Sequence, residues 1–226
     1  MTNIILIAGT HHGGWYWDDL AASLRKHGHV VHAPSLAGLD DENPFEGLIN
    51  LDTHLDQVAQ IIEGSNLSEV VLVGSSYGGM VITGVADRCH SSVKHLVYLD
   101  AALPASGQSE WHLNSQWLRD LYMSSTTDGL NVDVPKEWLA FSPKLMAHPL
   151  GTKLQPLVFD QSKLDGLNKT YVHAEKGFGP GLEHFFSAGY KRAQAEPGWQ
   201  VRSLPSGHDI ATELADEVLE IILSVC

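Results

Sequence analysis

The segment Val70-Val71-Leu72-Val73-Gly74-Ser75-Ser76-Tyr77-Gly78-Gly79-Met80 is the part of this chain that most directly indicates its fold. Its aliphatic first half predicts a buried strand, and the apolar run from Met80 to Ala86 predicts a helix. Between them lies Gly-x-Ser-x-Gly, in which Gly74 and Gly78 leave room for a sharp turn. The segment therefore predicts a strand, a tight turn that exposes Ser76, and a helix.

The position of Ser76 at the start of a helix has a chemical consequence. Backbone N–H groups at a helix N-terminus carry partial positive charge and can stabilise an anion. A glycine-rich turn could instead hold a phosphate group, but neither Gly-x-Gly-x-x-Gly nor a lysine of the Walker type is present. We therefore expect Ser76 to be a nucleophile.

Short apolar runs alternate with stretches of helical spacing along the rest of the chain. This alternation is typical of an α/β fold with a mostly parallel sheet, and nearly all-apolar strands are typical of a sheet covered on both faces. Leu51 to Ile62 and Leu214 to Ile222 have the spacing of helices packed on such a sheet. We predict about six strands: Ile4–Ala8, Val30–Pro34, Val70–Gly74, Val93–Leu99, Thr170–His173 and Val201–Leu204.

With 226 residues, the chain fits one large α/β domain, with a core formed by residues 1–103 and 169–226. In residues 104–168, aromatic side chains lie among Ser, Thr, Asn and Pro without a clear strand. A stretch of this length is usually functional, so we predict a small helical lid or cap between the fourth and fifth strands. The alternative is a helical excursion that covers one edge of the sheet. The predicted lining of a substrate pocket is Gly9, His11, Trp111, Trp117 and Trp138.

The charge balance bears on possible partners. The net charge is −13, from 14 Lys and Arg against 27 Asp and Glu, so we expect neither nucleic acid nor membrane as a partner. The apolar run Ile4–Ala8 is too short for a signal peptide or a membrane span, which predicts a cytoplasmic protein. Cys89 and Cys226 have the spacing of neither a metal site nor a redox pair, so we expect no disulfide and no metal. The oligomeric state stays open.

A serine is a weak nucleophile and needs a base, usually a histidine that is oriented by a carboxylate. Of the 13 histidines, His208 in Ser206-Gly207-His208-Asp209 follows the last predicted strand and precedes the terminal helix. That place fits the chain order of serine, acid and histidine in hydrolases with a Gly-x-Ser-x-Gly turn. We therefore predict that His208 is the base.

A second glycine-rich segment, Ala8-Gly9-Thr10-His11-His12-Gly13-Gly14, follows the first predicted strand. Its glycines allow the backbone to approach a ligand closely. An N–H group from such a loop can pair with the N–H of the residue after the nucleophile, so Thr10 and Tyr77 are the predicted oxyanion-hole donors. A metal site at His11 and His12 is the disfavoured alternative, because adjacent residues seldom point at one ion.

Four segments together resemble the small α/β-hydrolases of the plant methylesterase and hydroxynitrile lyase group and their bacterial esterase relatives. They are His-Gly-Gly-Trp-x-Trp at 12–17, the Gly-x-Ser-x-Gly-Gly turn, Leu-Asp-Ala-x-Leu-Pro at 99–104 and Gly-His-Asp at 207–209. The resemblance covers nearly the whole chain, with the cap matched poorly. It implies an α/β-hydrolase fold without a cofactor, with Ser76 as nucleophile and His208 as base.

The chain departs from this group in two places. The usual first motif begins His-Gly, where this chain has Ala8-Gly9. The hydroxynitrile lyases carry a threonine at the position of Gly9 and a lysine at that of Asp209. Since a cyanide leaving group needs that positive charge, both differences favour an esterase over a lyase.

The acid that would orient His208 is left open by the sequence. Many relatives have an aspartate after the fifth strand of this set, but here Gly177 stands at about that place. Asp100 follows the fourth strand directly, and strand C-termini are where sheets of this class bind ligands. We favour Asp100, with Glu175 as the possible alternative and another carboxylate, from the cap or from a structural position, as the remaining one. The purely structural role for Asp100 would be to cap the following turn.

These residues predict a serine carboxylic-ester hydrolase that acts on a small, largely apolar ester through an acyl-enzyme. Three alternatives remain open: an amide or carbamate hydrolase, a carbon–carbon lyase acting on cyanohydrins, and a non-catalytic receptor for a small ligand. The missing aspartate after the fifth strand is the one feature that favours the receptor.

Overall fold

Strands form at each of the apolar runs identified above. The computed structural model describes residues 1–40, 47–177 and 186–226. The strands in these ranges are β1 (Asn3–Ile7), β2 (Val30–His32), β3 (Val70–Ser75), β4 (Val93–Leu99), β5 (Asn131–Val132), β6 (His148–Pro149), β7 (Asn168–Ala174) and β8 (Trp199–Leu204).

Six strands form one sheet in the order β2-β1-β3-β4-β7-β8, and each neighbouring pair is parallel. The prediction of about six mostly parallel strands is confirmed. Gly74 in β3 is in register with Ile7 of β1 and Tyr98 of β4. The carboxyl ends of these three strands therefore meet at one edge of the sheet, where parallel sheets place their ligand sites.

Helices pack on both faces of this sheet. The helices within the described residues are α1 (Asp18–Lys26), α2 (Leu51–Gly64), α3 (Gly78–Arg88), α4 (Glu110–Leu113), α5 (Gln116–Ser125), α6 (Lys136–Phe141), α7 (Leu150–Leu154), α8 (Gln161–Asp165), α9 (Ser187–Ala195), α10 (Ile210–Glu213) and α11 (Ala215–Leu223). Each of them is too short or too polar to cross a membrane.

Strand β1 shows why the central strands are apolar throughout. Ile5 and Ile7 pack in a core with residues of α2 and α3, whereas Ile4 and Leu6 pack in a second core with residues of α1 and α11. Alternate side chains of a strand point to opposite faces, so a sheet that is covered on both sides buries every position. The continuous apolar run follows from these two cores.

The segment between β4 and β7, here called the cap, contains α4 to α8, as the predicted helical insertion requires. It also contains β5 and β6, which pair antiparallel through only two residues each and were not predicted. A two-residue strand is too short to leave a periodic pattern in the sequence. The cap is joined to the loop after β1 by a hydrogen bond from the N–H of Met146 to the carbonyl of His11, 3.0 Å long.

Candidate active site

Ser76 lies in the turn between β3 and α3, in a left-handed backbone conformation with a φ of 52°. The turn requires glycine on both sides. A Cβ at Gly74 would lie 2.6 Å from the carbonyl oxygen of Gly78, and one at Gly78 would lie 2.5 Å from the carbonyl oxygen of Ile7. Left-handed conformations of residues other than glycine cost about 1–3 kcal/mol and concentrate at functional sites. The turn leaves Ser76 partly exposed.

The loop after β1 passes directly against this serine. A Cβ at Gly9 would lie 2.8 Å from the Cβ of Ser76 and 3.5 Å from its Oγ. Thr10 follows in that loop, and Tyr77 precedes the first residue of α3. The first N–H groups of a helix have no acceptor within the helix. The structure thus packs the loop that carries Thr10 against Ser76, while Tyr77 is the next residue after Ser76 in the chain.

Asp100 and His208 are in contact at the same edge of the sheet. Nδ1 of His208 lies 2.7 Å from Oδ2 of Asp100. Asp100 directly follows β4 with a φ of 41°, and its Oδ1 accepts a hydrogen bond of 3.3 Å from the N–H of Ala174. Glu175, the other candidate acid, is exposed. Of the two carboxylates considered, Asp100 is the one that the fold places against His208.

The electrostatics of Asp100 favour its charged form. Burial alone would raise its pKa, but hydrogen bonds from His173 and His208 outweigh burial and lower the pKa to about 2. The carboxylate is therefore ionised at neutral pH. An ionised carboxylate accepts a hydrogen bond from Nδ1–H of His208, which leaves Nε2 of that ring free to accept a proton.

His173 is a second histidine beside this carboxylate, and no sequence pattern predicted a role for it. Its Nδ1 lies 3.4 Å from Oδ1 of Asp100. Its ring stacks on Tyr190 with 4.0 Å between centroids and 13° between planes. Because β7 is hydrogen-bonded to β4, residues near the carboxyl ends of both strands are neighbours. His173 could have been identified as a neighbour of Asp100 only if the pairing of β4 with β7 had been known.

The residues predicted to line a pocket occupy different environments. His11 is 1% exposed, and its ring makes an edge contact with that of Trp138 at 5.9 Å. Burial lowers the pKa of His11 to about 4, so its ring is neutral at pH 7. Trp111 packs against the core, with the guanidinium of Arg119 at 5.9 Å from its ring. Trp117 is 45% exposed on the cap and is the least enclosed of the group.

A buried ion pair within the cap, between Lys153 of α7 and Glu110 of α4, was also missed. Their side chains are 0% and 1% exposed, and Nζ lies 2.7 Å from Oε2. Burial lowers the pKa of Lys153 to about 8, against the opposing effect of Glu110. Nζ also donates to Oγ1 of Thr10 and lies 4.2 Å from the centre of the Tyr77 ring. A single lysine in a short helix has no sequence pattern that would distinguish it from an exposed one.

The chain matches one family model and several known proteins of similar sequence. The model of the alpha/beta hydrolase family matches residues 4–221. The carbendazim hydrolyzing esterase of Nocardioides sp. (strain SG-4G) is 34% identical over 97% of this chain and 98% of that protein. Salicylic acid-binding protein 2 of Nicotiana tabacum is 31% identical over 66% of this chain and 60% of that protein.

Solved structures extend the similarity to the fold. An extracellular alpha/beta-hydrolase from a Paenibacillus species superposes with a TM-score of 0.84 over 100% of this chain and 99% of that one. The two sequences are 18% identical, so this similarity concerns the fold alone.

Proposed function

The chain belongs to the alpha/beta hydrolase family, and from this premise we propose that it is a serine carboxylic-ester hydrolase. An esterase-type activity is supported by the carbendazim hydrolyzing esterase, which is similar over almost the full length of both chains. The observation that carries the serine mechanism is the contact between His208 and Asp100 at the sheet edge where the turn exposes Ser76.

In the proposed reaction, Oγ of Ser76 attacks the ester carbonyl carbon while Nε2 of His208 takes the hydroxyl proton. The carbon–oxygen bond to the leaving alcohol then breaks, and His208 returns the proton to that alcohol. Water attacks the resulting acyl-enzyme by the same route and releases the acid. Asp100 stabilises the imidazolium that forms in each half of the reaction.

The negative charge that develops on the carbonyl oxygen needs hydrogen-bond donors fixed in advance. We assign this role to the backbone N–H groups of Thr10, in the loop packed against Ser76, and of Tyr77, the residue that follows Ser76. Loss of one such donor costs about 3 kcal/mol of transition-state stabilisation. The close approach of Gly9 to Ser76 keeps the first donor near the reacting oxygen.

The proposed substrate is a small, largely apolar ester. The cap meets the loop after β1 through the edge contact between Trp138 and His11, which places an apolar ring beside that loop. The His11 ring is neutral at pH 7 and so adds no charge at this contact. Both observations favour an uncharged acyl or alcohol group over a carboxylate or phosphate.

The test is covalent labelling with a fluorophosphonate, together with hydrolysis of p-nitrophenyl acetate and butyrate. We expect the wild-type protein to be labelled and active, and Ser76→Ala to show neither property while it stays folded. Ser75→Ala is the matched control, since it removes the neighbouring serine at the end of β3 and should leave labelling intact. Labelling of Ser76→Ala at the wild-type rate, or an unlabelled wild type, would overturn the proposal.

A further inference from the structure

The cap directs a single ammonium group at the side chains of both residues that we assign as oxyanion donors. Nζ of Lys153 donates a hydrogen bond to the hydroxyl of Thr10 and lies 4.2 Å from the centre of the Tyr77 ring. Thr10 follows β1 and Tyr77 precedes α3, so these two residues belong to separate elements of the core. Lys153 therefore bridges the two halves of the proposed oxyanion hole.

The charge of Lys153 is balanced inside the protein. Its side chain is fully buried, and its ammonium is paired at 2.7 Å with the carboxylate of Glu110. Three histidines face the same region, His11, His54 and His148, and burial lowers the pKa of each of them. They are neutral at pH 7 and add no positive charge beside the ammonium, whose counter-charge is Glu110. A buried charge that loses its partner is strongly destabilised, so the pair holds α4 and α7 together.

We propose that Lys153, paired with Glu110, is a positioning residue that holds the oxyanion hole in its active geometry and couples that geometry to the docked cap. This inference rests on the proposed function. Lys153 is shielded from solvent and acts on substrate only through Thr10 and Tyr77. Its hydrogen bond restrains the Thr10 hydroxyl and with it the adjacent peptide plane, and its cation–π contact restrains the Tyr77 ring.

Such a role predicts a specific kinetic signature. Donors in an oxyanion hole act on the charge of the transition state, and displacement by about 1 Å is enough to cost about 100-fold in rate. Loss of Lys153 should then lower kcat and leave KM nearly unchanged. A residue that merely shapes the pocket would instead raise KM, and one that merely stabilises the cap would lower the melting temperature without lowering kcat of the folded protein.

The experiment measures p-nitrophenyl butyrate hydrolysis and the affinity for a trifluoromethyl ketone, which forms an oxyanion when Ser76 adds to it. We expect Lys153→Met to lower kcat by about 100-fold, to change KM by less than threefold, and to weaken ketone binding by the same factor as kcat. Lys169→Met is the matched control. Lys169 is also a buried lysine beside an aromatic ring, but it lies at the start of β7 and donates to the carbonyl of Leu164.

Thr10→Val is the second variant, in case Lys153→Met fails to fold. It removes the hydroxyl acceptor and keeps both the side-chain shape and the backbone N–H. We expect kcat to fall in Thr10→Val as well, and no further fall when Thr10→Val is added to Lys153→Met, because that variant has already lost the hydrogen bond between the two residues. Wild-type kcat in Thr10→Val would overturn the inference even if the lysine variant cannot be purified.

The remaining outcomes separate this inference from the proposed function. Near-normal turnover in Ser76→Ala would overturn the proposed function and this inference with it. An inactive Ser76→Ala combined with wild-type kcat in folded Lys153→Met would overturn this inference alone. A raised KM with unchanged kcat in Lys153→Met would also overturn it, since that result describes a pocket residue.

Discussion

Nδ1 of His208 lies 2.7 Å from Oδ2 of Asp100, although the two residues are 108 positions apart in the chain. Asp100 directly follows β4 and His208 follows β8, with β7 lying between those strands in the sheet. The contact spans β7 because both residues lie beyond the carboxyl ends of their strands. The N–H of His208 is held there by the carbonyl of Gly177, at 2.7 Å.

This contact makes Asp100→Asn the decisive change for the proposed acid. An amide cannot stabilise the imidazolium and favours the wrong tautomer of His208, so we expect kcat for p-nitrophenyl butyrate to fall by about 10⁴-fold. Glu175→Gln is the matched control, because Glu175 is exposed, and it should retain activity within about twofold. The reverse ranking of the two variants would show that Glu175 is the acid.

Gly9→Ala tests how closely the loop after β1 approaches the nucleophile. The added Cβ would lie 2.8 Å from the Cβ of Ser76, so either the loop or the serine must move. We expect kcat to fall by about 100-fold while the melting temperature changes little. Gly64→Ala is the control, since a Cβ there meets nothing within 4 Å, and it should keep wild-type kinetics. Equal activity of both variants would contradict the close approach of Gly9 to Ser76.

Burial of His54 is expected to lower the free energy of unfolding as the pH falls. His54 is 0% exposed, and its ring nitrogens lie 2.8 Å from the Tyr77 hydroxyl and 2.9 Å from the carbonyl oxygen of Ala37. Burial lowers its pKa from 6.5 to about 4. As the pH falls below 6.5, His54 becomes protonated in the unfolded chain but stays neutral in the folded protein. The stabilisation by neutral His54 is therefore present above pH 6.5 and is lost as the pH falls towards 4.

Urea unfolding of wild type and His54→Gln at pH 7 and pH 5 measures this effect. The variant should be less stable at pH 7, but the decrease in its free energy of unfolding between the two pH values should be smaller by about 2 kcal/mol. A substitution of exposed His27 should leave the wild-type decrease unchanged. Identical pH dependence in wild type and His54→Gln would contradict the lowered pKa.

Cyanohydrin cleavage is expected to be slower than ester hydrolysis. Asp209 follows His208 and accepts a hydrogen bond from the Tyr16 hydroxyl. A carboxylate therefore stands at the position where the resemblance to hydroxynitrile lyases implies a lysine. Release of cyanide from mandelonitrile, compared with hydrolysis of p-nitrophenyl acetate by the same preparation, measures the ratio. A faster release of cyanide would reverse the assignment in favour of a lyase.

The local sequence pattern was sufficient to predict those strands and helices that depend on the burial of their own residues. β4 has its predicted bounds because its apolar run is buried on both faces of the sheet. The terminal helix begins at Ala215 rather than at Leu214, because Leu214 has a φ of −132° between α10 and α11. The cap strands β5 and β6 have no local cause that is readable in the sequence, since each pairs through only two residues.

The sequence by itself determined the parallel sheet, the tight turn at Ser76 and the place of His208 after the last strand. These features depend on hydrophobic period and on the steric need for glycine at positions 74 and 78, which neighbouring residues define. The tertiary structure decided which carboxylate meets His208 and which buried lysine reaches Thr10. Both contacts join residues more than 100 positions apart, and only the order of the strands and the docking of the cap bring such residues within hydrogen-bond distance.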